Sequence, residues 1–215
     1  MIRMIKYQTL RDALDELFPD AQCELNYNKD YELLIAVALS AQTTDARVNM
    51  VTKELFSNND IRSLVHIDTK ELENILRPIG TYTKKAIYVK EIAKSLVDNY
   101  DGIVPNNREY LESLKGVGHK TANVVLSNLF DIPAIAVDTH VSRVSKRLGL
   151  TKDSDTVEII ESKLMKFIPK NKWSRSHHQL VLFGRYHCKA IKPECSNCPL
   201  KEDCKYNKIK NSTNS

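Results

Sequence analysis

The chain has 215 residues, 42% of them hydrophobic, with only 6 Gly and 7 Pro. It can bury a sizeable core as one large domain or two small ones, and its composition excludes a disordered or fibrous chain. Lys plus Arg outnumber Asp plus Glu by 32 to 27, a net charge of +5, which permits a polyanionic partner without demanding one. The longest wholly apolar run, residues 33–39, is far short of the roughly 18 to 20 residues that cross a bilayer. The first residues, Arg3 among them, lead into an amphipathic stretch rather than a secretory leader, so a reducing cytoplasm is the expected compartment.

Apolar residues recur at three- and four-residue intervals, beginning with Leu10, Leu14 and Leu17, and predict helices nearly throughout. Asp30 precedes an apolar helix over 31–39, and Asp68 with Glu71 makes a capping box. Pro78-Ile79-Gly80-Thr81 separates the helix after Asp68 from one carrying Ile87, Val89, Ile92 and Leu96. Lys115-Gly116-Val117-Gly118 separates a helix over 107–114 from another over 119–130, which Asp131-Ile132-Pro133 ends. The apolar run Ala134-Ile135-Ala136-Val137 then delivers Asp138 to a helix start as its N-cap. Ser154 or Asp155 precedes a further helix over 157–167. No alternating strand is evident, so the fold is predicted to be all-α, about ten helices with short connections.

Past about residue 185 the helical pattern gives way to Cys188-x6-Cys195-x2-Cys198-x5-Cys204, which holds four of the five cysteines. In a reducing compartment thiolates at such spacing ligate a metal rather than pair as disulfides. Zinc and a [4Fe-4S] cluster both accept four cysteines, and the spacing leaves that choice open. Cys23 reads as a small buried residue. Lys189 and Lys192 lie between the first two ligands and Arg185 just before them, so a metal-pinned loop would hold cations where they can meet phosphates. The alternative is a set of solvated lysines on a basic C-terminal face. Asn211-Ser212-Thr213 matches the glycosylation triplet by chance in such a chain.

Leu114-Lys115-Gly116-Val117-Gly118-His119-Lys120-Thr121-Ala122 is a helix-hairpin-helix pattern. Its glycines are expected to take positive φ and to leave bare N–H groups open to a phosphate at a helix start. It is not a phosphate-binding P-loop, because no strand precedes it and the GxxxxGK[ST] spacing is absent. Lys120 falls in the first turn of the second helix, where the dipole and the desolvation of a cleft are expected to disfavour its charged form and make the amine a nucleophile able to form a Schiff base. Taken alone, a lysine there is better explained by a contact with phosphate or solvent. An ionised Asp138, held by N-cap donors, can stabilise positive charge at a sugar carbon or take a proton from the attacking amine.

With hairpin, lysine, aspartate and cysteine loop in this order, the chain resembles the endonuclease III family, the iron-sulfur branch of the helix-hairpin-helix DNA glycosylases. The resemblance covers nearly the whole length. It is carried by Leu39-Ser40-Ala41-Gln42-Thr43-Thr44-Asp45, by 116–125, by Ala136-Val137-Asp138-Thr139-His140-Val141, by Gly184-Arg185-Tyr186 and by the four cysteines. It implies two helical domains, a helical barrel over 22–133 with the hairpin at about 107–130, and a discontinuous iron-sulfur domain over 1–21 plus 134–215, with damaged duplex DNA lying in a cleft between them. It implies that Lys120 is the Schiff-base nucleophile, that Asp138 is the catalytic carboxylate, and that Cys188, Cys195, Cys198 and Cys204 hold a [4Fe-4S] cluster. The implied activity is that of a bifunctional glycosylase and abasic-site lyase acting on oxidised pyrimidines in duplex DNA, with the strand cut 3′ to the lesion by β-elimination. The enzyme would be a monomer, cytoplasmic and associated with the nucleoid.

The same resemblance implies DNA contacts at Gln42, which fills the gap left by the flipped nucleotide, at Ile79 and Thr81, at Gly116, Val117 and Gly118, and at His140, Arg143, Lys189 and Lys192. Two departures stand out. Relatives commonly carry Leu where this chain has Thr81, so the apolar wedge is weaker or comes from Ile79. Lys115 replaces a common Pro and adds a cation where DNA would pass. Adenine and mismatch-thymine glycosylases of the same fold generally lack a lysine at the position of Lys120. An iron-sulfur electron carrier would explain neither the hairpin nor that lysine.

Overall fold

The computed structural model describes residues 5–213, with side chains from 5 to 209. Residues 1–4, Arg3 among them, and the Asn211 side chain of the glycosylation triplet lie outside the described residues. Among the described residues there are twelve α-helices, α1 to α12, and no strand, in agreement with an all-α fold. The two helices beyond the expected ten or so include the six-residue α4 (Ile61–His66), too short for periodicity to reveal. No helix among these residues is long and apolar enough to cross a membrane.

The chain divides into two compact units, one formed by Glu24–Asp131 and the other by Met1–Cys23 together with Ile132–Ser215. In the continuous unit, α2 (Asp30–Leu39) is buried from Tyr31 to Leu39, as a helix apolar on every side must be. It packs against α3 (Asp45–Asn58), α6 (Tyr82–Tyr100) and α8 (His119–Phe130), while α4 and α5 (Thr69–Leu76) pack on α6. Asp30 is the first residue of α2 rather than its cap, and its carboxylate accepts from the backbone N–H of Tyr31 and Val104, which ties α2 to the chain beyond α6. Asp68 caps α5 by accepting from Lys70 and Glu71 N–H, the first half of the expected capping box.

The discontinuous unit is built from α1 (Tyr7–Leu17), α9 (Thr139–Leu148), α10 (Val157–Phe167), α11 (Trp173–Leu182) and α12 (Lys205–Thr213). Leu10 and Leu14 of α1 share one apolar core with Val141, Val144, Leu164 and Phe183. Asp15 fixes α1 on α11 by accepting from Arg175 and Gln179. Thr156, and neither Ser154 nor Asp155, caps α10. Asp155 is occupied instead by Lys152 N–H and the Lys163 ammonium.

Candidate functional site

The hairpin runs from α7 (Arg108–Ser113) to α8. Val117 closes the turn by donating its N–H to the Leu114 carbonyl at 3.0 Å and burying its side chain to 4% exposure. Val117 therefore anchors the turn from within. The two glycines do different work. Gly116 has φ +84°, and a Cβ there would lie 2.4 Å from the Tyr88 ring of α6, so both conformation and space require glycine. Gly118, with φ −98°, is extended and does not use a positive φ. A Cβ on it would meet nothing within 4 Å, so it leaves the start of α8 open to approach.

Helix geometry supplies no acceptor for the N–H groups of the first turn of α8, and Lys120 is the second residue of that turn. Its side chain is exposed. The Lys120 amine has no hydrogen-bond or ion-pair partner among the described residues. The neighbouring His119 is engaged, Nδ1 with Glu112 at 3.1 Å and Nε2 with Asn123 at 3.3 Å. Lys115, the added cation, is paired with Glu91 of α6 at 2.7 Å.

Gln42 and Thr81 sit on two neighbouring turns of the same unit. Both are exposed and both have left-handed backbones, with φ +56° at Gln42 and +45° at Thr81. Ile79, between Pro78 and Gly80, folds inward on a short 3-10 turn and is 4% exposed. That corrects its reading as the apolar wedge, because a side chain already in the core cannot enter a base stack. Its carbonyl faces the other turn, accepting from Thr43 Oγ1 at 2.9 Å and Lys85 Nζ at 3.0 Å.

In the discontinuous unit, the buried run Ala134-Ile135-Ala136-Val137 sets the backbone of Asp138 as the N-cap of α9. Its Oδ1 accepts from Val141 N–H at 2.8 Å, and its Oδ2 lies 3.0 Å from Nδ1 of His140. The carboxylate is 16% exposed, so it is held in place on both oxygens yet still reachable. The chain returns past His140 as a π-helical stretch, Phe183–His187. Gly184 passes so close that a Cβ would lie 2.8 Å from that of His140.

Arg143, expected at DNA, directs its guanidinium to backbone carbonyls: Nη2 to Gly184 at 2.6 Å and Nε to Cys188 at 3.2 Å. One turn on, Arg147 donates to the carbonyls of Cys188, Lys189 and Ala190, reaches Cys188 Sγ at 3.5 Å, and lies over the Tyr206 ring at 4.5 Å. Neither clasp was identified as such from the sequence, although the spacing of four puts both side chains on one face of α9. Within the loop they gather, Lys189 pairs with Glu194 at 2.7 Å. Lys192 is exposed at φ +51°.

Cys188, Cys195, Cys198 and Cys204 are free thiols lining one pocket with Phe183, His187 and Tyr206. Burial pushes the Cys198 thiol up to about 11 and raises Cys204 as well, and the neighbouring thiols add to both. Cys198 and Cys204 become thiolates only beside a strong cationic centre, and with Cys188 and Cys195 on the same pocket the four-sulfur donor set fits a thiolate-bound metal group. Among the described residues, no group of three or more side chains is already arranged to hold a metal ion.

A family model described as "HhH-GPD superfamily base excision DNA repair protein" matches residues 35–170. Endonuclease III of Bacillus subtilis (strain 168) is 46% identical over 206 residues, 95% of this chain and 94% of that protein. The chain belongs to the endonuclease III family. Like its family it is a base excision repair enzyme, a DNA glycosylase with abasic-site lyase activity. Two solved structures bear on the chemistry of endonuclease III. A non-covalent endonuclease III–DNA complex matches with a TM-score of 0.92 at 49% identity, covering 97% of this chain and all of that one. A trapped endonuclease III–DNA covalent intermediate matches at 0.90 and 50% identity, covering 96% and 99%.

Proposed function

We propose that this glycosylase and lyase removes oxidised pyrimidines from duplex DNA through a Schiff base on Lys120. The observation that carries the reading is the exposed, unpartnered Lys120 amine on the first turn of α8, directly behind an open Gly118. Support comes from the covalent endonuclease III–DNA intermediate trapped in a similar protein. The damaged nucleotide leaves the stack, at a cost of a few kcal/mol that is least for a poorly stacked base. The Lys120 amine, as its neutral form, attacks the sugar C1′; the bond from C1′ to the base breaks and the base departs with the electron pair and gains a proton. Loss of the amine's remaining protons and opening of the sugar ring, whose oxygen is protonated, give the imine. The imine acidifies C2′, and removal of a C2′ proton expels the 3′ phosphate by β-elimination.

Asp138 suits charge stabilisation and proton acceptance better than proton donation, because its oxygens already face Val141 N–H and His140 Nδ1. The hairpin backbone at Gly116 and Gly118 would meet phosphates, with His140, Lys189 and Lys192 as further contacts. Arg143 acts through the carbonyls it holds, and any phosphate contact is secondary to that. Gln42 and Thr81 are the exposed tips that enter the duplex. The four cysteines would hold a [4Fe-4S] cluster, which supplies a rigid tie for the 188–204 loop and takes no part in bond cleavage. The enzyme works as a monomer associated with DNA.

Borohydride reduction in the presence of a thymine glycol or abasic-site duplex tests the central claim. The wild type should give a stable covalent adduct and Lys120→Gln none. An adduct that survives Lys120→Gln moves the nucleophile elsewhere, and no adduct with the wild type removes the imine. Iron and sulfide analysis of protein purified without air tests the cluster, which zinc as the only bound metal would contradict.

A further inference from the structure

The continuous unit contains a buried lysine that the chemistry above does not use. Lys85, in the first turn of α6, is 3% exposed. Its Nζ donates to Thr43 Oγ1 at 2.8 Å and to the Ile79 carbonyl at 3.0 Å. Thr43 Oγ1 also faces the Ile79 carbonyl at 2.9 Å. These three groups form a closed triangle between the turn that carries Gln42 and the turn that carries Thr81. Burial lowers the Lys85 pKa, and a lysine is not kept in such a place without a polar task.

We infer that Lys85 is a positioning residue for base extrusion, locking the Gln42 and Thr81 turns to each other so that both tips enter the duplex as one preformed unit. The inference rests on the reading that these two tips penetrate DNA. Both tips are non-glycine residues with left-handed backbones, and β-branched Thr81 is rare in that conformation, which persists only where its surroundings over-determine it. The triangle is that surrounding: it fixes residue 43, next to Gln42, and residue 79, two before Thr81. Preforming the pair spares DNA binding the ordering of two loops. A loop misplaced by about 1 Å can cost about a hundredfold in rate.

The test uses the full-length enzyme and two substrates. One is a thymine glycol duplex, which must be opened. The other is a single-stranded abasic oligonucleotide, which needs no extrusion. Lys85→Met keeps the buried stem and removes the donors, and Thr43→Val keeps the lysine and removes its node. The expected result is a fall of about 10- to 100-fold in the ratio of single-turnover rates, duplex over single strand, for Lys85→Met. A smaller fall in the same ratio is expected for Thr43→Val. Equal losses on both substrates, with a lowered melting temperature, would make Lys85 a purely structural residue and overturn the inference. An unchanged ratio in both variants would overturn it too. Gln42→Ala separates the two levels: if it lowers the ratio while Lys85→Met and Thr43→Val do not, only the brace is wrong. If Gln42→Ala has no effect, the penetration reading falls and takes the brace with it.

Discussion

The hairpin that presents Lys120 and the α9 region that presents Asp138 differ in how the presented residue is held. The turn of the hairpin is set by backbone and apolar contacts, Val117 N–H on Leu114, Val117 in the core and Gly116 against Tyr88, with polar ties from Lys115 to Glu91 and from His119 to Glu112 at its flanks, and its Lys120 has no partner among the described residues. Around α9 it is polar side chains that do the holding: Asp138 to Val141 and His140, Arg143 and Arg147 to carbonyls of 184 and 188–190. Under the proposed chemistry, Lys120 as a nucleophile that travels to a sugar carbon is served by a rigid base and a loose side chain. A carboxylate that must be at a fixed place when charge develops is served by hydrogen bonds on both oxygens.

That contrast is sharpened most by Asp138→Asn. Asparagine caps helices as well as aspartate, so the Val141 bond survives and the melting temperature should barely move. Turnover should fall about 10²–10⁴-fold, with DNA affinity nearly unchanged, as measured by single-turnover rates beside equilibrium binding. A proportionate loss of both would make Asp138 a cap and nothing more, and the two regions would no longer divide the chemistry.

Next in size is Arg147→Met. It removes the Arg147 donors from the carbonyls of Lys189 and Ala190 and one of the two donors on the Cys188 carbonyl, which keeps Arg143 Nε. The loop between 188 and 204 should become the first site of limited proteolysis, and, with the proposed cluster in that loop, iron content should drop. Arg147→Lys should not restore either, because an ammonium lacks the planar fork that spans residues 188 to 190. Retention of full iron and protease resistance in Arg147→Met would mean that the loop is held by its thiols alone.

How far these features were legible follows from the range of the interactions that make them. The bounds of α8 and the cap at Asp138 lie in short local patterns, and the sequence reading of both agrees with the structure. Arg147 escaped notice because the carbonyls it gathers are 41 to 43 residues away. Lys85 was hidden beside Lys84 in what reads as a polar run, although it lies four residues before Val89 and seven before Ile92, on the buried stripe of α6. Ile87, assigned to that stripe, is exposed. Ile79, the alternative source of the wedge, lies in the core because the turn between Pro78 and Gly80 folds inward, which no local pattern reveals.

The smallest effects come from the hairpin glycines and would separate its internal scaffold from its open face. Gly116→Ala places a methyl against Tyr88 in a left-handed backbone and should cost more than about 1 kcal/mol of stability, read as a shift in denaturant midpoint. Gly118→Ala has no neighbour to meet and an ordinary φ, so its stability should stay within about 0.5 kcal/mol of wild type. The added methyl instead stands where a phosphate would approach the first turn of α8, so DNA affinity should fall while the midpoint does not. If Gly118→Ala binds DNA as the wild type does, phosphate does not approach that turn through Gly118, and the hairpin's role reduces to presenting Lys120.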